Sequence, residues 1–92
     1  MNNNTVLTRR AGIMTADMNG STVMMDIETG KYYNLGEIGG YIWELLESPM
    51  KITILIDKLT KEFNVSREQC EKDTIPFLNS LVERRLLLII QA

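Results

Sequence analysis

Two periodicities divide the chain. Between Ile13 and Leu35 apolar and polar residues alternate, as strands with one covered face require; from Ile38 onward apolar residues recur at helical spacing. The first half opens with Ile13-Met14-Thr15-Ala16-Asp17-Met18 and reaches Asn19-Gly20, a strong signal for a two-residue hairpin turn. Thr22 to Ile27 follows, with Val23, Met25 and Ile27 on one face, then a tight turn at Glu28-Thr29-Gly30 and a third strand, Lys31 to Leu35, rich in aromatic residues. A three-stranded meander is predicted. Ile38, Tyr41, Ile42, Leu45 and Leu46 then form the stripe of a helix over about 37–47, with Gly36 as its N-cap and Ser48-Pro49 as its end. Ile52, Leu55, Ile56, Leu59 and Phe63 mark a second helix that closes at Asn64 and lacks a capping signal at its start. The third begins at Ser66, with Gln69 completing a capping box and Val65 and Cys70 a hydrophobic staple. Its core stripe is Cys70, Thr74, Phe77, Leu78 and Leu81, and Pro76 should bend it before it fades near Arg84-Arg85. Periodicity leaves Leu86 to Ile90 as either a short strand or a buried tail. Residues 1–12 show no pattern and are expected to form a disordered tail ahead of a single domain over 13–92.

Composition narrows the chemistry. Ninety-two residues, 45% of them apolar, suffice for one core with little to spare. There is no His, which removes imidazole-based nucleophilic catalysis, proton shuttling and His ligation, and the single Cys70 cannot form an internal disulfide or a thiolate metal site. No catalytic residues, no metal and no cofactor are therefore expected. Cys70 falls on an apolar stripe and reads as a buried structural thiol. No signal peptide or membrane span is apparent, so a cytoplasmic location is expected. Ten basic and twelve acidic residues give a net charge of −2, which disfavours binding dominated by nucleic-acid phosphates.

Several features carry both a plain and a functional reading. Gly36, Gly39 and Gly40 lack the Lys-Ser/Thr of a phosphate loop and read better as capping and close helix packing. Glu44 and Glu47, one turn apart, read as a solvated face. Trp43, at the border of its stripe, either completes the core or meets a partner. Tyr32 and Tyr33 point to opposite faces of the third strand, so one of them lies outside the main core. In a meander that strand has one unpaired edge, guarded only by Lys31; either Leu86 to Ile90 covers it or it stays open to accept a strand from another chain.

The succession Asp26, Thr29-Gly30-Lys31-Tyr32-Tyr33, Leu35, Gly39, Ile42-Trp43, Leu45-Leu46, Pro49, Leu55, Leu59, Phe63, Val65, Asp73, Phe77-Leu78 and Leu81 resembles the PqqD family, small recognition domains for ribosomally made, modified peptides. The likeness covers roughly residues 13–88, and the block from Thr29 to Leu46 is its most specific part. The Thr-Gly-Lys-Tyr-Tyr turn and the Ile-Trp-x-Leu-Leu helix are most similar to the stand-alone leader-binding proteins of lasso-peptide systems. The chain departs from the pattern at Gly36, where Asn often stands, at Lys51 in place of a capping Thr, and at Arg85 in place of Gly.

The resemblance implies an α+β, winged-helix-like fold, a three-stranded antiparallel sheet followed by three helices, with no catalysis of its own. It implies that a precursor's leader peptide adds a strand to the third strand and packs on the third helix. Its implied partners are that leader, a transglutaminase-like cysteine protease and an ATP-dependent cyclase, with neither nucleic acid nor membrane. On this basis the peptide is expected to take backbone contacts from Lys31, Tyr32, Tyr33, Asn34 and Leu35. A helical wheel puts Asp73, Phe77 and Arg84 along one flank of the third helix; that flank is assigned to the peptide, with Phe77 as anchor, Asp73 and Arg84 as polar clamps, and Pro76 opening the groove. Ile75 and Val82 on the opposite flank are the reserve assignment. The rival reading is a winged-helix DNA-binding regulator, disfavoured because the third helix carries no net positive charge.

Overall fold

The computed structural model describes residues 1–91. The elements run β1 (Val6–Arg9), β2 (Ile13–Met18), β3 (Ser21–Asp26), β4 (Tyr32–Leu35), α1 (Gly36–Leu45), β5 (Met50–Lys51), α2 (Ile52–Phe63), α3 (Arg67–Glu83) and β6 (Leu87–Gln91). They make two three-stranded antiparallel sheets, ordered β2-β3-β4 and β5-β1-β6, around three helices. The meander and helices match the periodicity. Asn19 and Gly20 both take positive φ, 57° and 85°, the geometry that lets a two-residue turn follow the strand twist.

The second sheet corrects the expected disordered tail. Val6 to Arg9 forms the central strand of that sheet, with Leu7 and Thr5 buried. The carbonyls of Thr5 and Asn3 accept from the first N–H groups of α2, at Ile52 (2.9 Å) and Thr53 (3.2 Å). A helix start needs partners for its orphan donors. Lys51 provides no side-chain cap, so backbone distant in sequence does that work, which explains why the start of α2 carries no local signal. Leu86 to Ile90 resolves as strand: β6, Leu87–Gln91, pairs with β1 and leaves β4 uncovered.

Burial shifts two faces from their expected places. On β3 the core takes Met24 and Asp26, while Val23 and Met25 share the outer face and Ile27 is exposed. On α1 the buried positions are Gly39, Gly40, Ile42 and Trp43, followed by Leu46, and Ile38 turns outward. Gly40 is the reason α1 can pack so closely on β3, because an added Cβ there would collide with Thr22 Oγ1. Trp43 is 2% exposed and belongs to the core. The N-cap of α1 is Leu35 rather than Gly36, and Asn34 Oδ1 accepts from the Gly36 N–H at 2.9 Å.

Burying Asp26 is sustained by Arg10, whose guanidinium donates to its Oδ2 at 2.6 Å and to Glu28 Oε2 at 2.9 Å while Nε donates to the Arg85 carbonyl. Burial by itself raises the Asp26 pKa, but the Arg10 pair and the backbone N–H groups of Glu28 and Thr29 outweigh it and hold the carboxyl below its ordinary value of 3.8. A depressed folded pKa adds stability that is complete above the unfolded pKa and is lost as pH falls through the folded one. Thermal unfolding followed across pH 2–7 should therefore show a loss below about pH 4 that is shallower in Asp26→Asn.

The third helix starts as expected at Ser66, whose side chain accepts from Gln69 N at 3.2 Å. The reciprocal half of the capping box is absent: the Gln69 amide reaches forward to both Asp73 carboxylate oxygens at 2.9 Å. The helix ends in a Schellman motif, with Leu86 N donating to Leu81 O and Arg85 N to Val82 O. Arg85 occupies its left-handed position at φ 61°, which favours glycine. Arg85→Gly keeps the carbonyl that Arg10 uses and should raise stability by about 1 kcal/mol, a melting-temperature gain of about 4–8 °C by circular dichroism.

Candidate functional site

β4 borders the site. Asp26 N donates to Lys31 O, and β3 and β4 pair Met24 with Tyr33 and Met25 with Tyr32. In this register Lys31, Tyr33 and Leu35 direct their backbone groups to β3, and Tyr32 and Asn34 direct theirs to the free edge. The side chains divide the other way. Tyr33 and Leu35 are half-buried on the helix side; Tyr32, 72% exposed, stands on the outer face, and Asn34 is exposed. Lys31 precedes the strand and is exposed.

Facing this edge across the N-terminal half of α1 is α3. Leu35, Ile38, Gly39, Ile42, Asp73, Thr74 and Phe77 line a groove of about 220 Å³. Phe77 is half-buried and its ring lies against Gly39, where an added Cβ would come within 3.0 Å of Cζ. A smaller apolar hollow of about 90 Å³ continues the groove past Ile38 and Asp73 to Val65 and Cys70. At the other end the Arg84 guanidinium sits 5.4 Å from the centre of the Tyr33 ring. From Asp73 to Arg84 the helix rises about 16 Å, the length of roughly five extended residues. Asp73, Phe77 and Arg84 thus lie along one side of a trough with Tyr33 and Leu35 opposite. Pro76 is exposed and does not line the groove; it leaves the Lys72 carbonyl without its intrahelical partner. The reserve residues Ile75 and Val82 pack against the core.

Ile38 is the wall residue that sequence reasoning missed. Its place on the first stripe predicted burial, yet it is 52% exposed and shared by both hollows. Its spacing from Phe77 along the chain contained no sign of this, because α1 and α3 meet only through tertiary packing.

The electrostatics of α3 are balanced. Arg67 donates to Asp57 and lies 3.2 Å from Glu71, so its charge is already matched. Among the described residues no group of His, Cys, Asp and Glu side chains forms a metal site, and no helix is long and apolar enough to cross a membrane.

Two solved structures share this fold. One, TbiB1 in complex with the TbiA(beta) leader peptide, is 29% identical with a TM-score of 0.77 and covers 87% of this chain and 93% of its own. The other, a lasso peptide synthetase B1 complexed with the leader peptide, is 26% identical with a TM-score of 0.75, covering 89% and 96%. No curated protein matches the sequence. The family described as coenzyme PQQ synthesis protein D (PqqD) matches residues 21–87, from the start of β3 to the start of β6, and the chain belongs to that family.

Proposed function

We propose that this protein captures the leader peptide of a ribosomally made precursor, of the lasso class, and presents it to maturation enzymes. The observation that carries the reading is the open β4 edge beside an apolar groove, in a fold shared over nearly its whole length with two leader-bound proteins. The leader adds antiparallel to β4, bonding the free backbone groups of Tyr32 and Asn34. Residues that alternate with the bonded ones turn into the trough, where Phe77 and Leu35 take an apolar side chain. Asp73, held by Gln69, and Arg84 meet polar groups at either end. The chain contributes recognition and no chemistry; a transglutaminase-like cysteine protease removes the leader and an ATP-dependent cyclase closes the product. The site works in the cytoplasm, where precursors are made.

Titration with the leader of a precursor encoded beside this chain tests the proposal. Binding with a shallow salt dependence is expected, since backbone pairing and apolar contact supply the affinity. Phe77→Ala removes an anchor at the centre of the interface and should weaken binding by about 2 kcal/mol, roughly thirtyfold, with Asp73→Ala weaker in effect. Tight duplex DNA binding with a steep salt slope and no leader binding would replace this reading with the regulator. If Ile75→Ala or Val82→Ala weakens binding while Phe77→Ala and Asp73→Ala do not, the peptide lies on the other flank.

A further inference from the structure

A second crevice flanks the opposite edge of the β2-β3-β4 sheet, between β2 and α1, away from the groove proposed for the leader. The Asn19-Gly20 hairpin pairs Met18 with Ser21, and Ile27 N donates to Gly12 O. Met14, Ala16 and Met18 therefore spend their backbone groups on β3. Those of Ile13, Thr15 and Asp17 point to an edge that no described strand occupies. These residues also face α1. Ile13 and Thr15 share a hollow of about 290 Å³ with Trp43, and Asp17 shares one of about 270 Å³ with Gly40 and Glu44, one turn back along the same helix face.

The two hollows are opposite in character. In the first, the Arg9 guanidinium lies 5.4 Å from the centre of the Trp43 ring and forms no ion pair among the described residues. The buried indole Nε1–H of Trp43 has no acceptor among the described residues, a state rare in folded proteins and costly to leave so. Glu47, on the same wall, is exposed and likewise forms no ion pair. The second hollow is lined by four carboxylates, Asp17, Glu37, Glu44 and Glu62, without a Lys or Arg. A strand added here meets donors at one position and negative charge two residues away.

We propose that this crevice receives an extended segment of a protein partner, added antiparallel to β2, with Lys or Arg facing Asp17 and, two residues later, Asp or Glu facing Thr15. Antiparallel pairing continues the ladder of this sheet, and the backbone groups that bond the segment belong to the residues whose side chains read its charges. The acidic residue accepts from the Arg9 guanidinium; the basic residue answers the four carboxylates.

Two capped pentapeptides of identical composition test the order, Ac-Thr-Lys-Val-Glu-Thr-amide and Ac-Thr-Glu-Val-Lys-Thr-amide. Trp43 is the chain's single tryptophan, so its fluorescence reports the crevice directly. The Lys-first peptide should shift that emission saturably, move the amide resonances of Ile13, Thr15 and Asp17, and bind at least about tenfold tighter than its partner. Arg9→Glu combined with Asp17→Lys should invert the preference. Equal binding of the two peptides, resonance shifts confined to other elements, or no response up to about 5 mM overturns the proposal. So does displacement of the pentapeptide by leader peptide, which would make the crevice part of the leader's own site.

Discussion

Tyr32→Pro is expected to abolish most leader binding while the domain stays folded. The Tyr32 N–H points away from β3, so proline there removes no bond within the sheet, and its ring occupies the space the added strand needs. The leader loses one bond and keeps a carbonyl buried without a donor, together about 3 kcal/mol or on the order of a hundredfold in affinity. Tyr32→Ala keeps the N–H and should bind within a few-fold of the parent, which separates backbone pairing from side-chain contact. Tyr33→Pro strikes the bond to Met24 inside the ladder and should unfold the sheet instead. Calorimetric titration with unfolding curves on the same samples distinguishes these outcomes; undiminished binding by folded Tyr32→Pro would remove strand addition at β4.

The N-terminal strand should matter more to the fold than any residue of the site. Leu7 is completely buried at the centre of the second sheet, and Leu7→Ala should cost about 3 kcal/mol, a melting-temperature drop of about 12–24 °C. Deleting residues 1–9 goes further. It strips β5 and β6 of their partner, opens Leu86 and Leu87 to water and returns two orphan donors to the start of α2. Against a total of about 5–14 kcal/mol for a chain of this length, that should leave no cooperative thermal transition. A cooperative transition near the parent's temperature in the truncated chain would contradict the role assigned to β1.

What the sequence determined by itself was whatever depends on neighbours along the chain. The three strands between Ile13 and Leu35, the Asn19-Gly20 turn, the Ser66 cap and the stripes of α2 and α3 are local patterns, and each appears in the structure. Meander topology put β4 at an edge of its sheet, and helical geometry put Asp73, Phe77 and Arg84 on one flank of α3; that the edge stays open was decided only by β6 pairing with β1.

Tertiary structure decided what depends on partners distant in sequence. Val6 to Arg9 is too short and too mixed to show periodicity, and it becomes a strand because Leu87 to Gln91, some eighty residues later, pairs with it. The face of β3 that is buried was set by Arg10, which makes Asp26 tolerable inside, and by Gly40, which lets α1 settle on Thr22. Ile38 became a groove wall for the same reason. Rotating α1 to bury Trp43 and its glycines turns Ile38 outward, beside a helix it meets only once the core has closed.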